Sequence, residues 1–276
     1  MFGGAQPESA YAMGHAHSEI ERLTVQARMF EPFTRQFFVE AGLRPGMRVL
    51  DVGSGAGDVA FLAASLVGPS GSVSGIDRAA EAVAVARTRA RELGFQNVSF
   101  STGDPTEETF DKLFDAIVGR LVLMYYPDSV AALTRMSRLV RPGGILAFQD
   151  FDMHGARSYP RSPLFEWCLQ RIVRTFESAG VDTRTGLKLY DAFLTAGLPP
   201  PRMRCDAHVG CGKGDVAYFV VAEVVRSLLP LMEKFGVAST AEAQIETLRD
   251  RLENEVVGQN GVIVSPSLIG AWVRMD

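Results

Sequence analysis

The sequence predicts an α/β fold, a doubly wound and mostly parallel sheet with helices on both faces. Three observations carry this. Short apolar runs at 48–52, 72–77, 98–101, 114–118 and 145–150 alternate with stretches of helical period, the pattern of repeated strand-helix units. Several of these runs end on or beside a carboxylate: Asp51, Asp77, Asp104 and Asp150. The first run also feeds three alternating glycines, Gly53, Gly55 and Gly57, ahead of an amphipathic stretch, which is the signature of a nucleotide-binding turn.

Taken in order, residues 1–17 are rich in Gly, Ala and His without a period and are read as an entry segment. Over 18–41, Ile20, Leu23, Ala27 and Phe30 recur at helical spacing and Pro32 marks a break, so two short helices are expected. A turn at 42–47 leads into the first strand, and a helix over 59–67 ends at Gly68-Pro69. The strand at 72–77 precedes an alanine-rich helix over 79–92, closed by Gly94. After the third strand a weak helix is expected over 106–112, and after the fourth a helix over 128–140. Arg141-Pro142-Gly143-Gly144 then turns into the fifth strand. Right-handed crossovers between such units give a parallel sheet.

Beyond Asp150 the rhythm changes. Residues 151–163, with Gly155, Pro160 and Pro163, read as a loop. Helices are expected over 164–180, 187–196, 215–235 (bent at Pro230) and 240–257, with a strand near 203–209. The apolar pieces Val262-Ile263-Val264 and Ile269 to Val273 suit an antiparallel pair at the sheet's edge. No internal repeat or low-complexity tract stands out.

Composition narrows the partners. With 22% charged residues and a mean hydropathy of +0.08, no apolar run approaches the roughly 18 residues of a membrane span. Residues 1–17 lack a basic region followed by an apolar block, so cytoplasmic localisation is expected. Cys168, Cys205 and Cys211 are odd in number and widely spaced, which favours reduced thiols over a disulfide frame or a metal site. A net charge of −4 and a pI near 5.7 argue against nucleic acid as a partner. A small-molecule substrate is expected, with the chain a monomer or a homodimer.

The glycine stretch selects among nucleotides. In the dinucleotide fingerprint a third Gly or Ala follows the second after two residues, but that position here is Asp58. With its acidic residue at the strand end, Asp51-Val52-Gly53-Ser54-Gly55-Ala56-Gly57 resembles motif I of the class I S-adenosylmethionine (SAM) methyltransferases. Phe114 to Leu123 resembles the family's post-II region, and Arg141-Pro142-Gly143-Gly144 the turn before its fifth strand, so the likeness runs in order through 44–150. It is nearest to the ubiquinone/menaquinone-biosynthesis type and to natural-product methyltransferases.

The resemblance implies a seven-stranded, Rossmann-like sheet with an antiparallel C-terminal edge hairpin and a helical cap. Residues 1–41 would form an N-terminal lid, 42–155 the cofactor core, 156–259 a cap with one core strand near 203–209, and 260–276 the edge strand. It implies SAM as cofactor, S-adenosylhomocysteine (SAH) as product, and binding by Asp51, Gly53, Ser54, Gly55 and Gly57. Asp77, with its neighbour Arg78, stands where the ribose hydroxyls are taken; an ionised carboxylate accepts two such donors. Asp104 stands where the adenine amino group is accepted. The next residue, which in the family donates a backbone N–H to adenine, is Pro105 and has none. Arg120 points into the cleft toward a methionine carboxylate or a substrate anion. Tyr11 and Gln26 match the lid.

His154, with Asp150 and Asp152 beside it after the fifth strand, is the candidate general base. The expected activity is methyl transfer to an O, N or C atom of a small acceptor; the family's Asn-Pro-Pro-Tyr signature for bases is absent after strand four. The alternative is a SAM-binding sensor or repurposed scaffold without methyl transfer. A nicotinamide oxidoreductase is disfavoured by Asp51 and Asp58.

Overall fold

A computed structural model describes the backbone of residues 17–276 and the side chains from residue 25 onward. The chain opens with a long helix, α1 (His17–Ala41), then alternates β1 (Arg48–Val52), α2 (Asp58–Val67), β2 (Ser72–Asp77), α3 (Ala80–Glu92), β3 (Val98–Thr102), β4 (Phe114–Arg120), α4 (Ser129–Ser137) and β5 (Val140–Asp152). There follow β6 (Arg157–Tyr159), α5 (Pro163–Ser178), α6 (Thr185–Thr195), β7 (Arg202–Asp206), β8 (Val209–Cys211), α7 (Val216–Lys234), α8 (Thr240–Ala243), α9 (Ile245–Gly258), β9 (Val262–Val264) and β10 (Ser267–Arg274).

Seven strands form one sheet in the order β3-β2-β1-β4-β5-β10-β7. The first five are parallel; β10 runs antiparallel to β5, from Ser267 opposite Asp152 to Arg274 opposite Ile145, and β7 is antiparallel to β10. The strand order reverses between β1 and β4, so their carboxyl ends flank a switch-point crevice, where open α/β sheets bind ligands. One apolar cluster packs α2 and α3 with Phe37, Phe38 and Trp272 on one face, and another packs α4 and α6 on Phe148 and Phe193 on the other. A third lies off the sheet, where α5, α7 and α9 meet Phe30, Phe151 and Met153.

Several details depart from the sequence expectations. The turn at 141–144 is part of β5, the helix over 240–257 is divided at Gln244 into α8 and α9, and the strand near 203–209 is β7 and β8 in two different sheets. The two helices divided at Pro32 are one: α1 continues through the proline, because Phe30, Phe37 and Phe38, each 2% exposed or less, anchor it on both sides of the lost hydrogen bond. The helix expected over 106–112 is a single turn in which the amides of Glu107 and Glu108 donate to the Asp104 carbonyl. Two threonines and adjacent glutamates give that stretch little tendency to propagate. The loop over 151–163 contains a 3-10 turn and β6.

Finally, the two C-terminal pieces do not pair with each other. β9 lies between β6 and β8 in a separate three-stranded sheet, and the antiparallel edge of the main sheet is made by β10 and β7. The Ser265 amide donates to the His208 carbonyl and the Ser265 hydroxyl accepts from the His208 amide, both at 2.9 Å. These bonds tie the link before β10 to the chain between β7 and β8. Among the described residues no helix is long and apolar enough to cross a membrane.

Candidate functional site

A cavity of about 990 Å³ opens at the carboxyl ends of β1, β2 and β4 and extends under α1, α5 and α7. Its floor is the glycine stretch. Gly53 and Gly55 have φ of 64° and 50°, in the left-handed region that glycine adopts without cost. A Cβ on Gly53 would stand 2.5 Å from a Val122 methyl, whereas Gly55 has nothing within 4 Å of that position. The backbone at Gly55 is therefore open to close approach by a ligand. Gly57, also left-handed, caps the start of α2, and Ser54 lines the cavity with its hydroxyl buried and unpartnered. Asp58 opens α2, where an acid opposes the helix dipole favourably, and pairs with Arg89 at 2.8 Å.

Asp77 locks this turn. One carboxylate oxygen accepts the Gly55 amide and the other the Ala79 amide, both at 2.8 Å. Two oxygens have about four acceptor sites, so capacity remains on the side facing the cavity, which Asp77 lines.

Beneath the turn, Asp51 is 1% exposed and neither oxygen has a hydrogen-bond partner. Burial holds its carboxyl well above the usual range; the charge of Arg120 and the Ala60 amide pull the other way without prevailing. The β1–β4 register puts Asp51 opposite Val118, and Arg120, two residues on, shares that sheet face. Arg120 lines the cavity and donates to the Thr34 hydroxyl on α1 at 3.1 Å. Burial lowers its pKa against the charges of Asp58, Asp51 and Glu31. Gln149 stands next in the same row, opposite Arg120 on β5, fully buried with neither amide atom partnered. The region under α1 thus holds buried polar groups with unused hydrogen-bonding capacity, a state that native interiors rarely leave without a ligand or water.

On the other side of the turn, Asp104 is largely occupied. It pairs with Arg78, accepts from the Thr106 amide at 2.8 Å and hydroxyl at 2.7 Å, and accepts from the Tyr126 hydroxyl at 3.1 Å. Burial alone would raise its pKa, but the bonds from Arg78 and Thr106 hold it below the usual carboxylate range. The Arg78 guanidinium lies 5.0 Å from the Tyr126 ring centre. Arg78, Pro105 and Tyr126 line the cavity; Asp104 does not. The Asp104 carboxylate, expected to accept from an adenine, holds Arg78 and Tyr126, which line the cavity.

Gln26 and Met29 of α1 line the cavity; Tyr11 lies outside the described residues. His154 is not brought to it. Its Nε2 is 3.1 Å from the Thr183 hydroxyl and 3.8 Å from Glu177, while the preceding Met153 lines the cavity. Asp152 accepts from the His154 amide at 3.3 Å and starts the 3-10 turn. Asp150 is buried beneath the segment after β4, where it accepts from the Leu123 amide at 3.3 Å, and burial pushes its pKa up to about 8. Among the described residues no group of His, Cys, Asp and Glu is arranged to hold a metal ion.

Sequence reasoning missed Thr34 and Gln149. Gln149 had a signal, a polar residue breaking the apolar run of β5; Thr34 had none, since its role depends on how α1 crosses the sheet.

Comparison with known proteins accords with this geometry. Residues 43–180 match the model of a family described as a methyltransferase domain. An arsenite methyltransferase of Aquipseudomonas alcaligenes is 42% identical over 120 residues, 41% of this chain and 35% of that protein. Aklanonic acid methyltransferase DauC of Streptomyces is 36% identical over 153 residues, 55% of this chain and 68% of that protein. The matches thus span between about a third and two thirds of these relatives' length. Among solved structures, YcgJ from Bacillus subtilis superposes with a TM-score of 0.56 at 21% identity, covering 89% of this chain and 100% of that one. A chain described as the [4+2]-cyclase SpnF does so with 0.53 at 19%, covering 89% and 82%. At such identities the likeness is one of fold alone.

Proposed function

The chain belongs to the class I SAM-dependent methyltransferases, and from that premise and the geometry of the cavity we propose that it transfers a methyl group from SAM to an O, N or C atom of a small-molecule acceptor. The observation that carries this reading is Asp77: its carboxylate fixes the glycine turn through two amides and still faces the cavity with acceptor capacity.

The residues present suit SAM. Asp77 would take the ribose hydroxyls, the open backbone at Gly55 would lie along the nucleoside, and Pro105 with Tyr126 would flank the adenine, held there through Arg78 and Asp104. Arg120 offers a cation to the methionine carboxylate, and Asp51 and Gln149 behind it supply unfilled acceptors and donors under α1. Such pairing would relieve the cost of burying these groups without partners. Bound SAM supplies an electrophilic methyl group on a sulfonium. The protein's part is then alignment of an acceptor atom and exclusion of water, which together are worth many orders of magnitude in rate. Residues 1–41, including Tyr11 and Gln26, would act as the lid.

A second reading, SAM binding without methyl transfer, is supported by Pro105, which cannot donate to adenine. Incubating the chain with tritiated SAM and a broad panel of small acceptors separates the two. Label in an acceptor supports transfer; SAM binding with no label across phenols, carboxylates, amines and enolisable carbons supports the second reading.

A further inference from the structure

The cavity has two chemically different halves. Among the described residues, every charged side chain lining it, Asp58, Asp77, Arg78, Glu81 and Arg120, belongs to the ends of β2 and β4 or the first turn of α2 or α3. The half beneath the cap is lined by Leu169 and Ile172 from α5, Val220 and Val224 from α7, Phe151 near the end of β5 and Met153 just after it. The Ser265 hydroxyl, also on this wall, is already engaged, donating to the Pro266 carbonyl at 3.0 Å and accepting from the His208 amide at 2.9 Å. Ligand pockets run from about 300 to 1,000 Å³, so a cavity of about 990 Å³ has room for a second molecule beside a nucleoside.

We propose that the acceptor is a bulky, mainly hydrocarbon molecule of low charge, seated between α5 and α7 with its reactive end toward the glycine turn. This rests on the cofactor reading above. An acceptor carrying a phosphate or a primary ammonium would lose its hydration against these side chains without a hydrogen-bonding partner in return. A trivalent arsenic acceptor is disfavoured as well, because a soft centre of that kind is held by thiolates. None of the three cysteines lines the cavity: Cys168 is buried with its thiol pushed up to about 12, and Cys205 and Cys211 are exposed on β7 and β8. The likeness to an arsenite methyltransferase over 41% of this chain therefore brings no thiolate to the cavity, and the cap of this chain is built for hydrocarbon.

Calorimetric titration of the whole chain, saturated with SAH, with 4-alkylphenols from ethyl to hexyl tests this. Affinity should rise about fourfold per added methylene, as expected for full burial. Val224→Trp should weaken the hexyl compound at least about tenfold while leaving SAH affinity within about twofold, with Leu169→Trp as a second variant should the first not fold. Affinity independent of chain length, or tighter binding of arsenite or phosphocholine than of hexylphenol, overturns the proposal. A chain that binds no SAH yet keeps the chain-length dependence overturns the cofactor reading and leaves the apolar acceptor site standing.

Discussion

Asp51, Asp77 and Asp104 stand at or just beyond the ends of three neighbouring strands, yet each carboxylate meets different donors. Asp77 is bonded to two amides and faces the cavity; Asp104 is bonded to Arg78, Thr106 and Tyr126; Asp51 has no donor. Asp77→Ala should weaken SAH binding by tenfold or more in a folded protein, since hydrogen bonds to charged groups are worth about 1.5–3 kcal/mol. Calorimetry showing unchanged affinity would remove Asp77 from the site. Asp150 gives a pH dependence. Its folded pKa of about 8 lies above the ordinary carboxylate value because it is buried. Between about pH 4 and pH 8 the folded chain holds a proton that the unfolded chain releases, so Asp150 makes stability fall as pH rises through that window. Asp150→Asn mimics the protonated form. Relative to that variant the natural chain should lose on the order of 2–4 kcal/mol between pH 5 and pH 8, measured by urea unfolding; a constant difference would show that Asp150 does not titrate there.

The strands and helices of the core were legible because each short apolar run ends in a polar turn whose residues declare it: Asp51 and the glycines after β1, Asp77 after β2, Arg141 to Gly144 before the buried part of β5. Elements decided by distant contacts were not. α1 continues through Pro32 because aromatic residues on both sides of it are buried, and no local signal reports that. Phe37 of α1 fits against β10 only where Gly270 has no side chain: a Cβ there would come within 2.5 Å of the ring. Gly270→Ala should therefore force α1 off the sheet and cost about 1–3 kcal/mol, read as a lowered urea midpoint with unchanged slope. Stability equal to the natural chain would mean that α1 is not seated as described. Likewise, β9 and β10 share an apolar pattern that suggested one hairpin. Their assignment to different sheets depends on the bonds between Ser265 and His208, which sequence spacing does not reveal.

For the molecule as a whole, the parallel half places the proposed cofactor site at the switch point and the added helices line the space above it. The cofactor half was readable because a turn, its glycines and the carboxylates beside it are local in sequence. The acceptor half was not: its wall is assembled from α1, α5, α7 and the segment before β10, each of which looks like ordinary amphipathic packing on its own. His154 illustrates the same limit, since its position after β5 suggested a base in the cleft, while the fold turns its ring toward Thr183 and Glu177. The cofactor assignment is tested by titrating the whole chain calorimetrically with SAH and, separately, with NADH. SAH should bind at least about 100-fold more tightly than NADH, a difference of roughly 2.7 kcal/mol. Tight NADH binding with none of SAH would contradict the assignment of Asp51 to Gly57 and Asp77 to SAM.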